Sequence, residues 1–316
     1  MNRLTQLTLP AILICACGGE QLSQTWQLDR LRILGAKVTP AEPRPGEAVS
    51  FESLIFAPEG VELETVSWFS CLPVGANNFG CDLDPAILET LFEQFENLSE
   101  EELGQLFGML FAVQGDIASL PDEPLYEPLK AAYYAGFSGF EPDFMLGWTA
   151  PEDALDGLSE REQKEGLSAI TTLTAVPTNA DNEDEFEIAY KRFPVSLADT
   201  PNHNPTMDIL KVDGTMVNEV FYAESEKTYS ISPVLSPDSV EDYDYVTPEG
   251  DIETRTEEPY FLWYTEGGSF DINFSLYPYS KVEWTAPKGP FEGIIISVIR
   301  DRRGGMDWEA IKVVVE

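Results

Sequence analysis

The chain is poor in positive charge: 19 Lys plus Arg stand against 56 Asp plus Glu, a formal net charge of -37. A field of that sign repels nucleic acid and anionic headgroups, so no nucleic-acid partner is expected. There is a single histidine, His203, set among asparagines and prolines in Pro201-Asn202-His203-Asn204-Pro205, a context that suits a turn better than a general base. Gly-rich phosphate loops, His-Glu-x-x-His, Gly-x-Ser-x-Gly and Cys-x-x-Cys are all missing. Carboxylates are abundant, but nothing in their spacing isolates a catalytic pair, and the chain reads as non-enzymatic. No apolar run reaches the roughly 20 residues needed to span a bilayer. What is present is a globular composition, 43% hydrophobic and 11% aromatic, in a chain long enough for two cores.

Residues 1–16 have a charged start (Asn2-Arg3), a short apolar stretch from Leu4 to Ile14 and small residues before Cys17, the pattern of a cleaved export signal. Ile14-Cys15-Ala16-Cys17 resembles the lipobox of bacterial lipoproteins, which implies cleavage before Cys17 and lipidation on it. Cleavage before Cys15 is the alternative, but Ile12-Leu13-Ile14 lacks the small residues a signal peptidase requires. Gly18 after the cysteine implies, by the same resemblance, sorting to the outer membrane of a Gram-negative cell. Residues 17–27 then form a polar tether. With Cys15 removed and Cys17 lipidated, Cys71 and Cys81 remain as an even pair in an oxidising compartment, and a disulfide is expected.

Short alternating segments bounded by Pro and Gly, such as 31–38, 49–56 and 61–71, predict β-strands of a sandwich. The period changes after Asp84-Pro85. Ile87, Leu88, Leu91, Phe92 and Phe95 recur at helical spacing, and Ser99 with Glu102 forms a capping box ahead of Leu103, Leu106, Phe107, Leu110 and Phe111. An internal echo organises the rest: Trp148-Thr149-Ala150-Pro151 returns as Trp284-Thr285-Ala286-Pro287. Each copy follows a Trp-bearing strand (Trp68, Trp263) and precedes a Glu-Gly pair that opens an apolar strand (Glu165-Gly166, Glu292-Gly293). The expectation is a duplicated, mainly β chain: sandwich domain 28–199 with a dispensable helical insertion at about 84–145, a linker at 200–206, and sandwich domain 207–316.

These segments, with their Trp-bearing strands and the Arg300-Asp301...Gly304-Gly305 turn, resemble bacterial immunoglobulin-like domains of the cell surface. Pro40-Ala41-Glu42-Pro43-Arg44-Pro45-Gly46 together with the Trp-Thr-Ala-Pro echo resembles lipoproteins of myxobacteria and their relatives. Two sandwich domains on a lipid tether, with no catalytic set, lead to the expectation of a non-enzymatic envelope protein that displays a binding surface or serves as a structural accessory for other envelope proteins. The alternative is a tethered binding module for calcium or a glycan. Two acidic loops carry candidate hard oxygen ligands for Ca²⁺: Asp181 and Asp184 in one, Asp242 and Asp244 in the other. Neither has EF-hand spacing, and the four tryptophans of the echo read as core more than as a sugar platform.

Overall fold

Alternation becomes strand wherever a sheet face is covered, and in this computed structural model the chain is mainly β. The structure describes residues 24–73, 86, 90, 93–95, 97–112, 117–141, 144–145, 147–178, 186–247 and 250–316. The first half runs β1 (Arg32–Thr39), β2 (Ala48–Phe56), β3 (Leu63–Cys71), α1 (Glu100–Ala112), α2 (Glu127–Tyr134), β4 (Phe137–Glu141), β5 (Phe144–Met145), β6 (Trp148–Thr149), α3 (Glu160–Glu165), β7 (Leu167–Pro177) and β8 (Glu187–Val195). The second half runs β9 (Met207–Val212), β10 (Thr215–Val217), β11 (Val220–Ala223), β12 (Thr228–Leu235), β13 (Asp242–Val246), β14 (Ile252–Thr256), β15 (Tyr260–Thr265), β16 (Ser269–Phe270), β17 (Phe274–Leu276), β18 (Val282–Thr285), β19 (Phe291–Arg300) and β20 (Met306–Val315).

Strand neighbours in the second half repeat those in the first. The sheet β1-β2-β6 corresponds to β9-β12-β18, and β4-β3-β7-β8 corresponds to β17-β15-β19-β20. The Trp-Thr-Ala-Pro echo occupies the same place in both: Trp148 faces Val49 and Thr149 faces Ala48, as Trp284 faces Tyr229 and Thr285 faces Thr228. One residue on, Ala150 N–H donates to Glu47 O (3.1 Å) and Ala286 N–H to Lys227 O (2.9 Å). The earlier tryptophans match too. Trp68 on β3 donates its indole N–H to Glu141 on β4 (2.8 Å), and Trp263 on β15 donates to Ser275 on β17 (3.0 Å). All four tryptophans of the pattern are core residues.

The sheets stack. Trp68, Leu173, Ala36 and Ile55 fill the space between β3-β7 and β1-β2. The other face of β1-β2 presents Leu34, Leu54 and Phe56 to Ile296, Val298 and Met306 of β19-β20. Beyond β19, Ile295 and Ile299 join Trp263, Trp284 and Leu210 in the largest core, between the two five-stranded sheets of the second half. Covering on both faces explains why β19 reads Ile-Ile-Ile-Ser-Val-Ile with no alternation. Gly35 lies where β1 packs against β20, and a Cβ there would lie 3.0 Å from Met306 Cε and 3.1 Å from the Trp308 ring.

Two expectations are corrected. The segment 84–145 is not helical to its end: α2 stops at Tyr134, and β4 and β5 extend the β3 sheet. The break is set by Gly136 (φ +106), where a Cβ would lie 2.4 Å from Ser70 O, after which Phe137 and Phe140 pack with α1 and α2 residues Leu106, Leu110 and Leu129 against Phe69. The segment is therefore partly sheet, continuous with the β3 sheet of the first half. The tether is shorter than 17–27. Trp26 packs edge-on against Phe270 (5.9 Å), Thr265 N–H donates to Trp26 O (3.1 Å), and Leu28 N–H donates to Thr265 O (2.9 Å), because an indole leaves water readily. β16 and β17 lie in different sheets, and between them Asp271 accepts the N–H groups of Ile272 and Glu283 (2.8 Å each).

Candidate functional site

The β19–β20 turn, Arg300 to Gly305, is drawn against the first half by a knot of charge. Asp301, 1% exposed, accepts the N–H groups of Arg303 (2.7 Å), Gly304 and Gly305 (2.9 Å each) and the Asn202 amide (2.8 Å). Burial nevertheless pushes its carboxyl up, against those donors and the pull of Lys191. Gly305 is obligatory here, since a Cβ would lie 2.1 Å from Asp301 Oδ2. Arg303 reaches three carboxylates, Glu257 (3.0 Å), Glu241 (3.3 Å) and Glu42 (3.5 Å), and its guanidinium lies 4.4 Å from the Tyr243 ring centroid. Burial raises the Glu257 carboxyl foremost, with Arg303 opposing. Glu42 also accepts the Ser196 hydroxyl and Asn202 N–H (2.6 Å). The segment expected as a linker is thus built into the fold: Asn202 is buried, and Asn204 joins Val38 O (2.8 Å) to Met306 N–H (3.0 Å). His203 is exposed, with Nδ1 2.7 Å from Glu241.

Beside this knot, β7, β8, β15 and the turn enclose a cleft of about 540 Å³. Five of the chain's 19 basic residues line it, Lys191, Arg192, Arg300, Arg302 and Arg303, against one acidic residue, Glu165. The chain as a whole has the opposite balance. Arg303 is committed to its carboxylates. Arg302, half exposed and at φ +74, has only a 3.6 Å approach to Glu258 and a 6.0 Å approach to the Tyr260 ring. Arg300 donates to Leu34 O (3.4 Å), and its buried Nε has no hydrogen-bond partner among the described residues. Lys191 is partly buried on β8, and no ion pair or hydrogen bond engages its ammonium among the described residues. Burial lowers its pKa to about 8; Asp301 opposes this and Arg300 adds to it. Tyr190 and Tyr260 supply aromatic surface at the rim. Chemically, the cleft can hold a compact anion.

Of the candidate site residues singled out from sequence, none that the structure describes lines the cleft. Cys17, Cys81, Asp181 and Asp184 lie outside the described residues, while Cys71 closes β3. Asp242 and Asp244 sit on β13 and accept hydroxyls of Thr256 (2.5 Å) and Thr254 (3.2 Å) on β14. Among the described residues, no three His, Cys, Asp or Glu gather in a group able to hold a metal. The cleft was missed by the sequence reading. Its signal was the clustering of scarce cations in Tyr190-Lys191-Arg192 and Arg300...Arg303.

No family model matches the chain, and no curated protein matches it. Among solved structures, murine CEACAM1b is 10% identical over 91% of this chain and 100% of its own, with a TM-score of 0.23. The native conformation of E. coli alpha-2-macroglobulin is 11% identical over 91% of this chain and 17% of its own, with a TM-score of 0.21. Similarity at that level carries no argument about this chain.

Proposed function

We propose that the chain is an exported, non-enzymatic lipoprotein of the outer membrane, anchored through Cys17, in which two immunoglobulin-like halves form one rigid body that meets other envelope proteins. The repeated strand neighbours and the matched registers of the two Trp-Thr-Ala-Pro segments support reading the halves as a duplicated sandwich, the first enlarged by 84–145. The observation that carries the anchoring is where the tether ends. Only seven steps along the chain, from Cys17 to Gln24, separate the lipidation site from the docked segment, a reach of at most about 25 Å. A lipid on Cys17 would hold the β15–β17 edge at the bilayer surface. That edge exposes Phe274 (43%), Leu276 (41%), Tyr277 (44%) and Tyr279 (85%) beside Thr25, which accepts a 3.4 Å hydrogen bond from Asn273. Tyrosine rings suit the headgroup level. No helix among the described residues is long and apolar enough to cross a membrane. The test is fractionation of the full chain: Cys17→Ser should move the protein from the membrane to the soluble envelope fraction. Retention by Cys17→Ser with release by Cys15→Ser would refute the site.

A further inference from the structure

We propose that the cleft between β8 and the β19–β20 turn binds a small organic acid, a single carboxylate carried on a ring-shaped body. Geometry and charge both support this. A volume of about 540 Å³ lies within the roughly 300–1,000 Å³ of small-ligand sites. The cations that line it are not all consumed by the fold: among the described residues Lys191 makes no hydrogen bond or close ion pair and feels Asp301 only through its field, Arg300 keeps a buried N–H without a partner, and Arg302 has one exposed ion pair, to Glu258 at 3.6 Å. In a chain of charge -37 these groups would gain by pairing with the abundant carboxylates, yet the cleft holds only Glu165. A carboxylate placed among them would accept charge-assisted hydrogen bonds from ammonium and guanidinium donors. The field of the whole chain limits how much negative charge the ligand can bring, which favours one carboxylate over a phosphate dianion or a polyanion. Tyr190, 63% exposed, and Tyr260, flanked by Phe274 at 5.5 Å, offer ring faces for an apolar or sugar body.

Occupancy should be tied to proton uptake. Lys191 is faced by Arg192 on its own strand, by Arg300, Asp301, Arg302 and Arg303 of the turn, and by Glu165 at the end of α3. A bound anion would restore its charge, so at pH 8 binding should draw in about half a proton.

The experiment is calorimetric titration of the purified full chain with glucuronate, benzoate, neutral glucose and inorganic phosphate, at pH 8 in two buffers of different ionisation enthalpy. Glucuronate or benzoate should bind with heats that differ between buffers, and glucose should not bind. Lys191→Met, which keeps the stem and removes the charge, should weaken binding on the order of ten-fold, as should Arg302→Ala, with unchanged circular dichroism. Failure of both carboxylates to bind would overturn the proposal, as would binding indifferent to Lys191→Met. Phosphate binding more tightly than either carboxylate would overturn the ligand class. None of these results depends on whether Cys17 carries lipid.

Discussion

Replacing Lys191 by Met should make the protein more stable at neutral pH and leave it nearly unchanged at high pH. The lysine's pKa falls from 10.5 in the open chain to about 8 in the fold. At about 1.4 kcal/mol per unit, holding the charged form in the fold costs about 3 kcal/mol when both states are protonated. The cost is complete below pH 8. Between pH 8 and 10.5 the unfolded chain binds more protons at this site than the folded one, so the penalty shrinks as pH rises, to about half near pH 9.25 and a few tenths of a kcal/mol at pH 10.5. Methionine keeps the apolar stem against β8 and carries no charge, so it should recover about 1–3 kcal/mol at pH 7. Urea unfolding of the two proteins, compared at pH 7, 9 and 10.5, reads the difference directly and cancels titrations common to both, such as that of Tyr264, whose hydroxyl burial pushes up. A variant that is no more stable at pH 7, or whose advantage does not decline with pH, would refute the account of Lys191.

Arg303→Ala would strand the buried Glu42 and Glu257, at a cost of about 3–5 kcal/mol. Because Glu257 is already raised by burial, the loss should be smaller at pH 5 than at pH 8 in chemical unfolding. Gly136→Ala places a Cβ against Ser70 O at a positive φ and should lower stability by at least about 1–3 kcal/mol, measured by thermal unfolding. Replacing 84–145 by a short linker removes β4 and with it the Glu141 acceptor of Trp68, so the first half should lose protease resistance. Replacing 84–134 alone should cost less, because the β3–β4 ladder survives. For the proposed Cys71–Cys81 pair, alkylation of the unreduced, denatured protein should label neither cysteine, and a loop of that length adds about 2–3 kcal/mol when closed.

Much of the β-structure was legible because alternation and Pro/Gly punctuation are local signals. The predicted segments 31–38, 49–56 and 61–71 coincide closely with β1, β2 and β3. The echo was legible for a different reason: Trp148 and Trp284 need the same neighbours, and so keep the same letters around them. Illegible segments were those whose conformation is decided from outside. β11 is a parallel edge strand held by β20, and β13-β14 is a detached hairpin of charged residues and tyrosines, with no apolar face to write a period. β4 was hidden by its neighbours in sequence, because Phe137 and Phe140 continue the apolar content of the helices before them. The cleft was beyond any local reading, since Lys191 and Arg300 are 109 positions apart and only the stacking of the halves brings them to one wall.

The docked segment at Trp26 also decides how the molecule would carry a load. Tension on the N-terminal end does not reach β1 first, although β1 is the next strand along the chain. It meets the paired bonds between Thr265 and Trp26–Leu28, reinforced by Arg32 reaching back to Thr25 O (2.6 Å). Gln27 runs parallel to Thr265, so a pull along the segment loads those bonds together in shear, and peeling is avoided. The strain passes into β15 and the largest core of the protein. The thinner β1-β2 sheet, and the cleft-forming β8 beyond it, would feel a tug only after that clasp had given way.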